Sequence, residues 1–217
     1  MAGKDTSSRP AQKPGVDSLP EYLGRLASEW PTPGGGSAAT VVGAAAAALV
    51  AMVARISSTN PKYAAHQALA LELVARADDL RNEFLRAKDR DEAAFDRVVA
   101  ATAMPKESDE EKQQRRDALE IALQHAAAEP LFAAELALDT LRLVARALEI
   151  PNKNLVSDLG CAAEFAAASL AACAYNVRVN HKFMKDTYAI EAQEHVLARY
   201  ERESATLVTS VRTRLQR

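Results

Sequence analysis

The chain has 217 residues and a formal net charge of −2, and its acidic and basic side chains are mixed along the whole length. This balance excludes an extended surface for nucleic acid, because no basic block is long enough to follow a phosphate backbone. Hydrophobic residues make up 48% of the chain and aromatic residues only 5%, so the core must be aliphatic and rich in alanine. That composition favours an all-α fold of one domain.

The N-terminal segment is polar and lacks the apolar run of a signal peptide. We therefore expect residues 1–16 to be a disordered leader, residues 17–217 to form one helical domain, and the protein to be cytoplasmic. A short first helix is predicted to begin at Asp17 or Ser18 and to cover the core with leucines on one side. These are Leu19, Leu23 and Leu26.

An uncharged stretch covers residues 30–54, in a chain of which 26% is charged. It opens with prolines and consecutive glycines, namely Pro31, Pro33, Gly34, Gly35 and Gly36. The prolines keep the backbone extended, and the bare glycine backbone lets a ligand or another segment approach closely. Ser37 is expected to cap the following helix, whose free N–H groups suit an anionic or carbonyl-bearing group.

The alanine-rich helix that follows the glycines is predicted to be the central helix of a bundle, because small side chains allow close contact from every side. A membrane span is the competing interpretation, since the uncharged run is almost long enough to cross a bilayer. Alanine is only weakly apolar, however, and the sequence has neither an aromatic belt nor a second span. We expect no membrane partner.

A long amphipathic helix is predicted over residues 63–103. Its apolar face recurs at steps of four and three residues, and only Asp91 interrupts it. Carboxylates are rarely buried without a partner or a function, so Asp91 is a candidate catalytic residue. Asp89, Glu92 and Asp96 are better explained as part of a solvated charged face.

The next segment is the most polar in the body of the chain. Pro105 should end the long helix, and Ser108 with Glu111 forms a capping box that opens a further helix. Pro130 should kink or split that helix because it removes a backbone hydrogen bond.

A second alanine-rich helix is predicted within residues 151–182. Asn154, Ser157 and Asp158 share a face in its first turns. Asn176 follows Asp158 by 18 residues, which is about five helical turns, so both lie on one stripe. Buried polar groups cost free energy unless they are partnered, which makes Asp158 the second candidate catalytic residue.

Two blander interpretations remain open for these residues. Buried asparagines such as Asn176 and Asn180 often tie neighbouring helices together without any catalytic role. A helical interaction module would explain the apolar periodicity as well as an enzyme would, but it gives no reason for the glycines or for Asp158. The histidines are scattered and Cys161 and Cys173 are expected to be free thiols, so no metal site is predicted.

Taken together, several motifs resemble the cyclodeaminase/cyclohydrolase family. They are the PTPGGGSAA run before the alanine-rich helix, the D-x-D-x-x-A-F run from Asp89, the N-x-x-S-D-x-G-x-A-A run from Asn154, and Tyr175, Asn176 and Val177. The resemblance extends from about Ser18 to the C-terminus. It implies an all-helical homodimer of long antiparallel helices that acts on a one-carbon unit held between N5 and N10 of tetrahydrofolate.

The resemblance also implies roles for the candidate residues. Asp158 and Asp91 would be the catalytic carboxylates, and a tetrahydrofolate derivative would be the substrate, without a metal. The substrate-binding set would comprise Pro33, Gly34, Gly35, Gly36, Ser37, Asn154, Ser157 and Asn176, with Lys153 or Arg178 meeting the anionic glutamate tail. Because no transferase segment is fused to the chain, hydrolysis of methenyltetrahydrofolate is favoured, and deamination of formimidoyltetrahydrofolate is the alternative.

Overall fold

The structure, a computed structural model, describes residues 18–216, so the leader expected over residues 1–16 lies outside the described range. The described part is all-α, as predicted. Its helices are α1 (Leu19–Leu26), α2 (Gly35–Thr59), α3 (Gln67–Thr102), α4 (Asp109–Ala147), α5 (Val156–His181) and α6 (Thr187–Leu215). Short 3₁₀ turns at Pro61–His66 and Lys153–Leu155 precede α3 and α5.

Polar caps define where the helices begin. Ser18 opens α1 and Ser108 opens α4, each through a capping box with the glutamate three residues later. The capping box of Ser108 and Glu111 is therefore confirmed. Asp186 caps α6 by accepting a hydrogen bond from the backbone N–H of Ala189 at 3.0 Å. Such caps satisfy N–H groups that have no partner inside the helix.

The bundle core lies between α2, α3, α4 and α5, and α6 covers α4 and α5. Helix α2 is central, as predicted, because its alanines and glycines let both α3 and α5 pack closely against it. At one crossing the Ser169 hydroxyl of α5 donates a hydrogen bond to the Ala39 carbonyl oxygen of α2, at 2.8 Å. The apolar face predicted for α3 is buried from Leu73 to Ala101.

Helices α2 and α5 are each long and apolar enough to cross a membrane by length and composition, so the expectation that α2 has no second candidate span after it is wrong. In α2, 61% of the most apolar window is buried inside the fold, which is how a core helix behaves.

Two local predictions are wrong, and of the two effects expected at Pro130 the split does not occur. Gly34, not Ser37, is the N-cap of α2, and the Ser37 side chain turns into the protein interior. Leu19 and Leu23 are 60% and 49% exposed, and α1 packs through Tyr22 instead. Pro130 does not split the chain into two helices, because α4 continues through it.

The close packing at Gly43 supplies a test of this arrangement. A Cβ atom there would lie 2.8 Å from the Ser169 hydroxyl oxygen and would overlap the Phe84 ring. We expect Gly43→Ala to lower the free energy of unfolding by about 1–3 kcal/mol, the usual cost of overpacking a core. Thermal or urea unfolding measures it.

Gly24→Ala is the matched control, because nothing lies within 4 Å of the added Cβ atom in α1. It should be neutral or stabilising by about 0.5–1 kcal/mol, the helix preference for alanine. Equal stability of the two variants would show that α2 does not pack as described.

Candidate active site

A cavity of about 640 Å³ lies where the start of α2 meets α3, α4 and the end of α5. Most of its wall is apolar, formed by Phe95, Val98, Leu119, Leu123 and Phe183 among others. The backbone of Gly34, Gly35 and Gly36 forms another part of the wall. A concave, largely apolar site with a few polar groups is the usual form of a small-molecule site.

Asp91 is the acidic side chain in this wall, at the point where it interrupts the apolar face of α3. Its carboxylate accepts a hydrogen bond from the backbone N–H of Ser37 in the first turn of α2. A Cβ atom on Gly36 would lie 2.7 Å from the Asp91 carboxyl carbon. Glycine is therefore required at position 36 because the carboxylate sits directly against the helix backbone.

The environment raises the pKa of Asp91 to about 6. Burial is the largest cause, and the negative charges of Glu92 and Glu129 act in the same direction. The N–H of Ser37 opposes the shift by stabilising the anion. A carboxylate with this pKa can exchange protons near neutral pH, which suits general acid–base chemistry.

A hydrogen-bond network behind Asp91 holds the start of α2 in place. The Ser37 hydroxyl donates to Glu92 at 2.9 Å and lies 3.0 Å from the Tyr22 hydroxyl of α1. Lys88 and Arg25 form ion pairs with Glu92 at 3.3 and 3.5 Å. Glu92 is only 6% exposed, so its assignment to a solvated face is wrong. The buried charge of Glu92 is balanced by Arg25 of α1 and by Lys88 of its own helix α3.

Two asparagines of α5 face the cavity. Asn176 donates to the Ala172 carbonyl oxygen at 2.9 Å and packs beside Gly35. Asn180 donates to the Ala126 carbonyl oxygen of α4 and to that of Asn176, at 2.9 and 2.8 Å. These bonds use the amide nitrogens, which leaves the side-chain oxygens available as acceptors.

The other predicted residues of α5 lie elsewhere. Asp158 is in the first turn of α5, 18 residues before Asn176, which is about 27 Å at 1.5 Å per residue. Asn154, Ser157 and Lys153 are near Asp158, and none of the four lines the cavity of its own chain. Asp158 and Asn176 do lie on one stripe of α5, but the rise along the helix puts them too far apart to share one site.

Arg178 also has a different position from the one expected. Its guanidinium pairs with Glu201 at 2.8 Å and with Glu194 at 3.3 Å, both on α6. Arg178 therefore joins α5 to α6 and is not part of the cavity wall. Pro33 is buried beside the glycines, and the cavity instead touches Pro31 and Thr32.

Sequence reasoning missed several residues of the site. The sequence marks Asn180 only as an asparagine that could tie helices together, and Phe95 only as the last residue of the D-x-D-x-x-A-F run. Arg115 and Phe183 line the cavity but carry no periodic or motif signal. Among residues 18–216, no group of three or more histidine, cysteine or acidic side chains is arranged to hold a metal ion.

Comparison with known proteins identifies the family. The family model described as formiminotransferase-cyclodeaminase matches residues 18–199, so the chain belongs to this family. A methenyltetrahydrofolate cyclohydrolase of Methylorubrum extorquens is 36% identical over 172 residues, covering 79% of this chain and 83% of that protein.

Two further relatives carry the other activity in their names. The formimidoyltransferase-cyclodeaminase of Rattus norvegicus is 27% identical over 87% of this chain, which spans only 35% of the rat protein. The crystal structure of a formiminotetrahydrofolate cyclodeaminase from Thermotoga maritima superposes with a TM-score of 0.83 at 29% identity, covering 92% of this chain and 96% of that chain.

The raised pKa of Asp91 predicts a pH-dependent cost to stability. The folded state binds the proton more tightly than the unfolded state, so stability falls as pH rises from about 4 to about 6 and the full penalty, up to about 3 kcal/mol, applies above that range. Asp91→Asn removes the charge and keeps an acceptor for the Ser37 N–H. We expect the variant to have a higher Tm than the parent at about pH 8 and a smaller difference at about pH 4.

Asp79→Asn is the control, since Asp79 is exposed on the same helix. A destabilised Asp91→Asn protein at the higher pH would contradict a desolvated carboxylate at this position.

Proposed function

We propose that this protein is a methenyltetrahydrofolate cyclohydrolase, which converts 5,10-methenyltetrahydrofolate and water to 10-formyltetrahydrofolate. The observation that carries the proposal is the Asp91 carboxylate with a raised pKa in a mainly apolar cavity beside a bare glycine backbone. The 36% identity to the cyclohydrolase of Methylorubrum extorquens supports this reaction over others of the family.

The chemistry requires one group that can take and return a proton. Water attacks the cationic methenyl carbon while Asp91 accepts one of its protons, giving a neutral tetrahedral intermediate. The bond from that carbon to N5 then breaks, Asp91 returns its proton to N5, and the hydroxyl proton is lost to solvent as the formyl group forms on N10. The anionic form of Asp91 also offsets the positive charge of the substrate in a site of low polarity.

The remaining cavity residues suit a pterin and a benzoyl ring. Phe95 and Phe183 offer aromatic surface, and the oxygens of Asn176 and Asn180 can accept hydrogen bonds from pterin N–H groups. Close approach of the ring to Gly35 and Gly36 is possible because no side chain covers their backbone. We propose that the tetrahydrofolate derivative is the substrate and that no metal takes part.

Formimidoyltetrahydrofolate cyclodeaminase is the second candidate. The structural similarity to the enzyme of Thermotoga maritima favours it, and a base that becomes an acid would serve this reaction too. Here N10 attacks the formimino carbon, and Asp91 would give its proton to the departing ammonia. An assay of both substrates with purified protein, following the methenyl chromophore and ammonia, separates the candidates.

Substitution of the two candidate carboxylates tests the assignment of the base. Asp91→Asn should reduce turnover by roughly a hundredfold or more, the usual contribution of a general base, whereas Asp158→Asn should change it little. Circular dichroism establishes that both variants are folded. Full turnover in Asp91→Asn, with a large loss in Asp158→Asn, would transfer the role to Asp158.

We also propose that the protein is a homodimer joined through one face of α2 and α5. Apolar side chains repeat there at steps of four and three on both helices, and each is exposed or half-exposed. We call this the α2–α5 face; it comprises Ala38, Val42, Ala45, Leu49, Met52, Ile56, Cys161, Phe165, Ala168, Ala172, Tyr175 and Val179. A continuous apolar face of this kind is unusual on a monomer, and its helical spacing fits a second pair of helices.

Charge insertion tests the dimer. Phe165→Glu, on the α2–α5 face, should shift the protein from dimer to monomer in sedimentation equilibrium at micromolar concentration, because an unpaired buried charge is costly. Leu71→Glu is the matched control, since Leu71 is 55% exposed on α3. A parent protein that sediments as a monomer refutes the dimer. The cytoplasmic location, and the lack of membrane and nucleic-acid partners, stay predictions.

A further inference from the structure

The cavity has charge at two separate places. Among the described residues that line it, Asp91 is the only acidic side chain and Arg115 the only basic one. Arg115 lies on α4 and reaches the last turn of α3, where its Nε donates to the Thr102 carbonyl oxygen at 3.0 Å. Thr102 follows Asp91 by 11 residues, so the two charges are separated along α3 by about 16 Å at 1.5 Å per residue.

The guanidinium of Arg115 has N–H donors that are not used within the described part of the fold. Of its five N–H groups, Nε–H is used by Thr102, and within residues 18–216 no carboxylate pairs with the terminal nitrogens. The nearest acid on its own helix face, Glu111, is occupied by the backbone N–H groups of Glu107 and Ser108, each at 2.9 Å. The two terminal nitrogens present a fork that matches a carboxylate.

The wall between the two charges is apolar. Phe95 and Val98 lie on α3 between Asp91 and Thr102, and Leu119 and Leu123 are one and two turns beyond Arg115 on α4. A ligand that fills this cavity must therefore carry a cation or proton-transfer centre at one end, an apolar ring in the middle and an anion at the other end.

We propose that Arg115 binds the carboxylate of the substrate's glutamate tail and determines specificity for glutamate-bearing folates. This inference rests on the proposed function and places the pterin at Asp91, the benzoyl ring between the two charges and the tail at the Arg115 end of the cavity. It replaces Lys153, which is remote from the cavity, and Arg178, which is paired with α6.

The test compares ligands with and without the tail. Affinities of the parent, Arg115→Gln and Arg116→Gln proteins are measured by calorimetry for 5-formyltetrahydrofolate and for 5-formyltetrahydropteroate, which lacks glutamate. Arg116 is the matched control, because it is exposed, bonds Gln113 at 2.6 Å and does not line the cavity. We expect Arg115→Gln to weaken binding of the glutamate-bearing ligand by roughly ten- to a hundredfold, the usual size for a charged hydrogen-bonded pair, and to leave the pteroate ligand unchanged.

Steady-state kinetics provides an independent readout. Arg115→Gln should raise KM for methenyltetrahydrofolate with kcat nearly unchanged, because the tail is bound alike in the ground state and the transition state. Equal losses for both ligands, or a fall in kcat alone, would show that Arg115 only ties α4 to α3 and would overturn the proposal. Turnover by the parent protein without any preference for the tail would refute the subsite and retain the proposed function. Tail-dependent binding, without turnover of methenyltetrahydrofolate or of formimidoyltetrahydrofolate, would refute the proposed function and retain the subsite.

Discussion

The contact between the Asp91 carboxylate and the first turn of α2 is the constraint on which the site depends. The carboxylate lies so close to the helix that a side chain at position 36 would collide with it. The backbone N–H of Ser37 donates a hydrogen bond to the carboxylate and stabilises its anionic form. Without this hydrogen bond, burial would raise the pKa of Asp91 further. The balance leaves a carboxylate whose pKa is close to neutral, which is the property a proton-transferring residue needs.

The rest of the bundle serves this contact. Alanines and Gly43 bring α3 and α5 close to α2, so that Asp91 approaches Gly36 and Asn176 approaches Gly35. The Ser37 side chain is anchored by Glu92 and by Tyr22 of α1, and Arg25 of α1 pairs with Glu92. A small helix at the edge of the fold thus fixes the backbone that orients the base, as networks behind a reacting group commonly do.

Much of the fold follows from the sequence, because periodicity and capping are local. The glycine run, the face of α3 with Asp91 and the capping box at Ser108 needed only their neighbours in the chain. The burial of Glu92 could not be foreseen, since it depends on where α1 docks. Asp158 and Asn176 share a stripe of α5, but the rise of about 1.5 Å per residue, known from the sequence spacing alone, already separates them by about 27 Å. Arg115 belongs to no sequence motif or periodic face. It reaches the cavity only because α4 packs against α3 in the folded chain.

The most direct measurement is the titration of Asp91 itself. Carbon NMR of protein labelled at the aspartate carboxyl carbons, with Asp91→Asn to assign the signal, follows the protonation of this one group. The account predicts a midpoint near pH 6, moved to lower pH when a cationic methenyl folate is bound, because positive charge favours the anion. A midpoint at the ordinary aspartate value of about 4, unchanged by the ligand, would contradict the claim that a desolvated carboxylate is the centre of this site.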